Sequence, residues 1–146
     1  MRFYTALLAG FFMLSLHGWE NDFELAKQKA KSEHKLILLN FSGSDWCVPC
    51  IRLHKDIFDQ QVFRDYADSN LVMVNANFPR LKKNQLSKDQ QRRNERLADE
   101  YNPKGNFPLT LLLDPEGKIL RSWEGNPEMT PVQFIGQLKA VADGRK

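Results

Sequence analysis

The chain has 146 residues, 42% of them hydrophobic and 27% charged, the composition of one compact globular domain and not of a disordered or fibrous chain. Its net charge of +3 is small and carried on mixed-sign segments, which argues against nucleic acid as a partner. With two cysteines and three histidines, a four-ligand zinc site would need almost every candidate ligand, including His17 in a segment expected to be removed, so no metal is expected.

Arg2 is the only charge before Glu20, and residues 6–14 are apolar but too few to span a bilayer. This pattern predicts a secretory signal peptide over residues 1–18, with a mature domain over 19–146 that is periplasmic or secreted and not inserted in a membrane. Leu16 and His17 fit a small-x-small cleavage site poorly, and an uncleaved anchor is the alternative.

Asp22 is a helix cap, and the helix it starts runs to about Glu33 with Phe23, Leu25, Ala26 and Ala30 on its apolar side and Lys27, Lys29 and Lys31 toward water. Residues 36–41 are uniformly apolar except for Asn40, which suits a central strand covered on both faces. After Ser42-Gly43-Ser44-Asp45 comes Trp46-Cys47-Val48-Pro49-Cys50, and Ile51, Leu53, Ile57, Phe58, Val62 and Phe63 continue at helical spacing. A helix to about Phe58 and a second short one to about Asp68 follow from that spacing. Residues 71–76 form the next strand, so strand, helical crossover and strand make a parallel pair.

Residues 78–85 read as loop, and Ser87 with Gln90 predicts a capping box for a helix through Tyr101. The basic stretch from Arg80 to Arg96 is taken as a solvated helix face, with partner docking the weaker reading. Asn102-Pro103-Lys104-Gly105-Asn106 breaks the chain, and residues 109–113 and 118–123 flank Asp114-Pro115-Glu116-Gly117 as an antiparallel hairpin. Thr130, Pro131 and Gln133 open a last helix whose Phe134, Ile135, Leu138 and Val141 form a buried stripe.

The chemistry concentrates in Cys47 and Cys50. A Cys-x-x-Cys pair entering a helix puts the second sulfur about one turn behind the first, close enough to bond to it. The first sulfur lies over unpaired N–H groups at the positive helix end, which favours its thiolate. Cys47 is therefore the expected nucleophile and Cys50 the resolving thiol. Pro49 suits a first helical turn, and Val48 with Pro49 occupies the positions that tune thiolate stability.

The order of elements, with Trp46 and the two cysteines between the first strand and its helix, resembles the thioredoxin-like superfamily over nearly all of residues 22–141. The run Leu39-Asn40-Phe41-Ser42-Gly43-Ser44-Asp45-Trp46-Cys47 is most similar to secreted thioredoxin-like proteins of Bacteroidetes envelopes. The resemblance implies an α/β thioredoxin fold, a central mixed sheet with helices on both faces. It also implies that Pro108 is the cis-proline facing the cysteines and that Trp46, Phe107 and Pro108 bind substrate, although Phe107 reads equally well as a core residue. The family's Gly-Ile-Pro-Thr sequence is altered here to Asn106-Phe107-Pro108-Leu109-Thr110. Its buried proton-relaying acid is missing too: Asn40 and Phe41 occupy that region and neither ionises. Water, Asp45 or a residue elsewhere would have to serve, with Glu24, Glu33 and Asp114 candidates if folding brings them close. Asp45 also stands to raise the Cys47 pKa by like-charge repulsion, and His54, one turn after Cys50, reads as surface packing ahead of catalysis.

The expected function is a thiol–disulfide oxidoreductase acting on cysteines of envelope proteins. Its direction leans toward a reductase or mild exchanger, because Val48 offers no donor to stabilise a strongly oxidising pair. The implied partners are protein thiols and disulfides and an unidentified electron donor. A monomer is expected, with no metal, nucleotide or flavin. The alternative is a redox-inactive binding module that holds a peptide through Trp46, Phe107 and Pro108 while the disulfide stays closed.

Overall fold

The computed structural model describes residues 18–145; the expected leader, apart from Gly18, lies outside the described residues, as does His17. Among the described residues five α-helices and four strands follow in the order α1 (Phe23–Glu33), β1 (Leu36–Ser42), α2 (Val48–Leu53), α3 (Gln61–Asn70), β2 (Leu71–Asn77), α4 (Lys88–Tyr101), β3 (Leu109–Leu113), β4 (Ile119–Glu124) and α5 (Pro131–Asp143). The strands form one mixed sheet in the order β2-β1-β3-β4, with β1 and β2 parallel and the other two pairings antiparallel.

Strand alternation sorts β1 between two cores. Ile37, Leu39 and Phe41 pack with Phe23, Ala26 and Ala30 of α1 and Leu97 of α4. Leu38 points the other way, into a cluster with Leu53, Phe63, Trp123, Phe134 and Leu138. Burial on both faces explains why the run is apolar on both sides of the strand apart from Asn40, each enclosed Leu, Ile or Phe contributing about 1.5–3 kcal/mol. The same alternation puts Asn40 on the face of Leu38, where α2 packs, and leaves Phe41 on the opposite face.

Asp22 caps α1 through its side chain, which accepts from the Leu25 N–H at 3.0 Å. The box predicted for α5 is complete, with Thr130 and Gln133 each bonding the other's backbone N–H. The one predicted for α4 is half formed: Ser87 accepts from the Gln90 N–H, but the Gln90 amide turns away to the Asn21 carbonyl and Asn94. The Gln90 side chain is held by these two acceptors and does not return to the Ser87 N–H.

Other boundaries shift for similar reasons. The helix after the cysteines does not stay α-helical to Phe58: residues His54–Phe58 form a π turn that still buries Ile57 and Phe58. Helix α3 extends past Asp68 to Asn70, β1 and β2 each gain a residue from their parallel pairing, β4 starts one residue late and ends at Glu124, and a 3-10 turn at Lys82–Asn84 interrupts the expected loop. Leu25 and Val62 are exposed, and Lys29, expected to face water, is half-buried against Glu20 at 2.9 Å.

Candidate active site

The end of β1 and the end of β2 lie side by side because Ser42 is in register with Asn77. The loop that follows β1 is consequently tied to the one that follows β2. Ser42 Oγ donates to Asn75 Oδ1 at 2.9 Å, the Ser44 N–H donates to Asn77 Oδ1 at 3.0 Å, and Asn77 Nδ2 donates to Ser44 Oγ at 2.8 Å. Asp45 completes the tie: its carboxylate accepts from the Arg80 N–H at 2.9 Å, the Leu81 N–H at 3.0 Å and Asn84 Nδ2 at 2.9 Å. The Arg80 N–H foremost, then the Asn84 amide and the Leu81 N–H, hold the Asp45 carboxyl below the ordinary carboxylate range. Asp45 is thus a loop clamp with its oxygens already engaged, not a proton carrier for the cysteines.

Out of this clamped loop the chain enters α2. Cys47 is the N-cap, in extended conformation, with its N–H on the Gly43 carbonyl at 2.9 Å. Its Sγ accepts from the Cys50 N–H at 3.3 Å, so the sulfur occupies the place a serine or aspartate oxygen takes in an ordinary cap. Pro49 stands in the first turn, where it removes no needed donor. The two cysteines are joined as a disulfide with their Cα atoms 5.2 Å apart. Both are buried, Cys50 at 1% exposure and Cys47 at 4%, while Val48 and Pro49 between them are exposed.

Trp46 lies against the same loop pair. Its Nε1–H donates to the Phe78 carbonyl at 2.7 Å, and its ring meets Phe107 edge-on at a centroid distance of 5.5 Å. Phe107 in turn meets Phe78 at 5.5 Å, so it is both a partner of Trp46 and a partly buried member of the core edge. The Arg80 guanidinium is stacked 3.7 Å from the indole centroid on the remaining side. Gly43 makes the arrangement possible: a Cβ there would sit 2.5 Å from Nε1 and 2.6 Å from Cζ2 of the indole. The Phe107–Pro108 peptide is cis, and the Pro108 carbonyl accepts from the Gly125 N–H at 2.8 Å. Among the described residues the Phe107 backbone N–H and C=O have no partner.

The face of β1 turned toward α2 carries a closed polar network. Asn40 is fully buried; its amide donates to Thr110 Oγ1 at 2.9 Å and toward the Leu109 carbonyl at 3.4 Å. That leaves Asn40 Oδ1 as the acceptor facing His54 Nε2 at 3.2 Å, which requires the imidazole proton on Nε2. His54 does pack, half-buried, with Trp19 and Phe58 flanking it at centroid distances of 5.2 and 5.1 Å. Burial lowers its pKa below the ordinary histidine value, Asp59 opposing, so the neutral ring is favoured. The other acids named from the sequence are engaged elsewhere. Glu24 pairs with Lys27, Glu33 with Lys35, and Asp114 accepts from the Glu116 and Lys118 N–H groups in its own turn. Among the described residues no group of three or more His, Cys, Asp or Glu is placed to hold a metal ion.

Phe78, Arg80, Gly43 and Trp19 were not legible as site residues. Arg80 and Phe78 reach Trp46 only through the β1–β2 register, and Trp19 reaches His54 because the Glu20 backbone pairs with β2 at Met73 and Asn75. The one local signal was a glycine three residues ahead of a tryptophan.

The family model described as thioredoxin-like matches residues 18–115. The chain is 38% identical over 102 residues to "Disulfide bond reductase DsbH" of Chlamydia pneumoniae, a match covering 70% of this chain and 59% of that relative. It therefore spans less than two thirds of the relative's length. The solved structure titled "DsbH Oxidoreductase" superposes with a TM-score of 0.76 at 31% identity, covering 85% of this chain and 83% of that one. A disulphide isomerase from Xylella fastidiosa shares the fold alone, with a TM-score of 0.59 at 18% identity. By its four-stranded mixed sheet, its two helical layers and these matches, the chain belongs to the thioredoxin-like family.

Proposed function

We propose that this chain is a thiol–disulfide oxidoreductase that reduces or mildly exchanges disulfides of envelope proteins through Cys47 and Cys50. The observation that carries the proposal is the Cys47–Cys50 disulfide at the cap of α2, beside an indole and an unpaired backbone edge at Phe107. Similarity to a protein titled a disulfide bond reductase supports the reducing direction.

In that direction the reduced pair supplies two electrons. The Cys47 thiolate attacks one sulfur of the substrate disulfide; a bond forms between Cys47 and that sulfur, and the other substrate sulfur leaves as a thiolate. Cys50, deprotonated, then attacks Cys47 Sγ, forming the internal disulfide and releasing the second substrate thiolate. The substrate gains two thiols, the protein is left oxidised, and a dithiol donor of another protein must re-reduce it. The Cys50 N–H that meets Cys47 Sγ stabilises negative charge on that sulfur, as an N-terminal helix position does generally. With Asn40 where a carboxylate would relay the Cys50 proton and Asp45 committed to its loop, water and the neutral His54 imidazole remain as acceptors. Trp46, Phe107 and Pro108 line the substrate path, an extended segment pairing with the free Phe107 backbone groups. Val48 and Pro49 tune the thiolate without a side-chain donor.

The same reading makes residues 1–18 a secretory leader and 19–146 a monomeric periplasmic or secreted domain that needs no bound cofactor. No helix among the described residues is long and apolar enough to cross a membrane. The resemblance to Bacteroidetes envelope proteins is retained for the compartment that it implies. Reduction of insulin disulfides in the presence of a dithiol tests the activity. The parent should turn over, Cys47→Ser should be inert, and Cys50→Ser should accumulate a mixed disulfide with substrate. Equal activity in the parent and Cys47→Ser removes the enzyme reading and leaves the binding module.

A further inference from the structure

Most arginines whose side chains make polar contacts here are neutralised or held by neighbours: Arg92 pairs with Asp89, Arg93 with Asp22 at 3.3 Å, and Arg64 donates to Gln61 at 2.9 Å. Arg80 is different. Its backbone N–H is fixed by Asp45, its guanidinium is stacked 3.7 Å from the Trp46 centroid, and its five N–H donors meet no acceptor among the described residues. Stacking removes much of the rotamer freedom that an exposed arginine otherwise loses on binding, and it leaves the planar fork open at the edge. Lys82 and Lys83 follow on the same loop, exposed and without a carboxylate partner among the described residues. The one carboxylate bonded to this loop, Asp45, already accepts three hydrogen bonds from it. Three apolar side chains on the cysteine helix and this loop are exposed as well: Val48 is 58% exposed, Ile51 47% and Leu81 49%.

We propose that Arg80 is a specificity residue that receives the carboxylate of an Asp or Glu flanking the reacting cysteine of a polypeptide substrate, so that this chain selects disulfides in acidic sequence contexts. A carboxylate meets the open guanidinium edge in a bidentate pair, while Trp46 and Val48 contact the apolar part of the same segment. Lys82 and Lys83 add an attraction that accelerates encounter and is screened by salt. The inference rests on the redox reading for its consequence in turnover, but the docking itself is separable from the chemistry.

The test therefore has a binding arm and a turnover arm. For binding, the oxidised full chain is titrated by NMR with three peptides of one sequence whose cysteine is replaced by serine and whose neighbour is Glu, Gln or Lys. The Glu peptide should bind about fivefold more tightly than the Lys peptide at low salt, with shifts at the Trp46 indole N–H, and the ratio should shrink in 0.5 M NaCl, on the order of the effect known for exposed pairs. Arg80→Gln should bring the ratio to within about twofold of unity and Arg80→Lys should fall between, since it keeps the charge and loses the fork. Equal binding of the Glu and Lys peptides, or a parent-like ratio in Arg80→Gln, overturns the proposal. For turnover, the same peptides as disulfides are mixed with the reduced protein. If no disulfide is exchanged while the Glu preference persists in binding, the redox reading fails and the acidic docking site stands.

Discussion

Replacing Gly43 by alanine tests how the site is assembled with one added methyl group. The new Cβ would lie 2.5–2.6 Å from the Trp46 Nε1 and Cζ2 atoms, distances that no carbon occupies, so the indole must leave its place. It would forfeit the hydrogen bond to the Phe78 carbonyl, worth about 1 kcal/mol. The Arg80 stack contributes about 0.5–1 kcal/mol and the edge contact with Phe107 about 0.5–1.5 kcal/mol. Alanine recovers about 0.4–1 kcal/mol by restricting the unfolded chain, leaving a net destabilisation of about 1–3 kcal/mol. The same change at Gly136 is the internal control, because that glycine lies inside α5 with nothing within 4 Å of a Cβ. Gly136→Ala should stabilise by about 0.5–1 kcal/mol. Urea unfolding followed by circular dichroism reads both, and the Trp46 indole N–H resonance reports whether the ring has moved. A Gly43→Ala protein as stable as the parent with that resonance unshifted would refute the reasoning.

Asn40→Leu fills similar space but strands the Thr110 hydroxyl and the His54 ring N–H inside the protein, and each buried unsatisfied group costs about 1–3 kcal/mol. The urea midpoint should fall accordingly, and a loss below about 0.5 kcal/mol would mean that the network closes some other way. His54 makes stability depend on pH with a defined sign. Its native pKa is lowered by burial, so as pH falls through the ordinary value of about 6.5 the unfolded chain takes up a proton first. The contribution is therefore whole above about pH 6.5 and is lost progressively below it, down to the native pKa. Between pH 7.5 and pH 5 the parent should lose more unfolding free energy than His54→Gln. Equal losses would show that this histidine is not what titrates.

Local physics explains how much of this was legible. The caps at Asp22 and Thr130, the turn at residues 114–117 and the mostly apolar runs of β1 and β3 act over a few residues, so they read directly from composition and spacing. The π turn at His54–Phe58 did not, because Ile57 and Phe58 satisfy a helical period whether or not the hydrogen bonds lengthen by one residue. The Ser87 box is half formed for a related reason: the Gln90 amide is drawn to the Asn21 carbonyl, 69 residues away in the chain, and leaves the local Ser87 N–H.

The cysteine pair and its helix are properties of the sequence alone, since a three-residue separation on a helix start brings two sulfurs into bonding range in any fold that allows the helix. What surrounds the pair belongs to tertiary structure. The parallel register of β1 with β2 carries Arg80 and Phe78 to Trp46, and the parity of β1 turns Asn40, and not Phe41, toward α2. Neither is encoded within the few residues that a spacing argument reads. Sheet register and face are settled only when both sides of the sheet are packed at once.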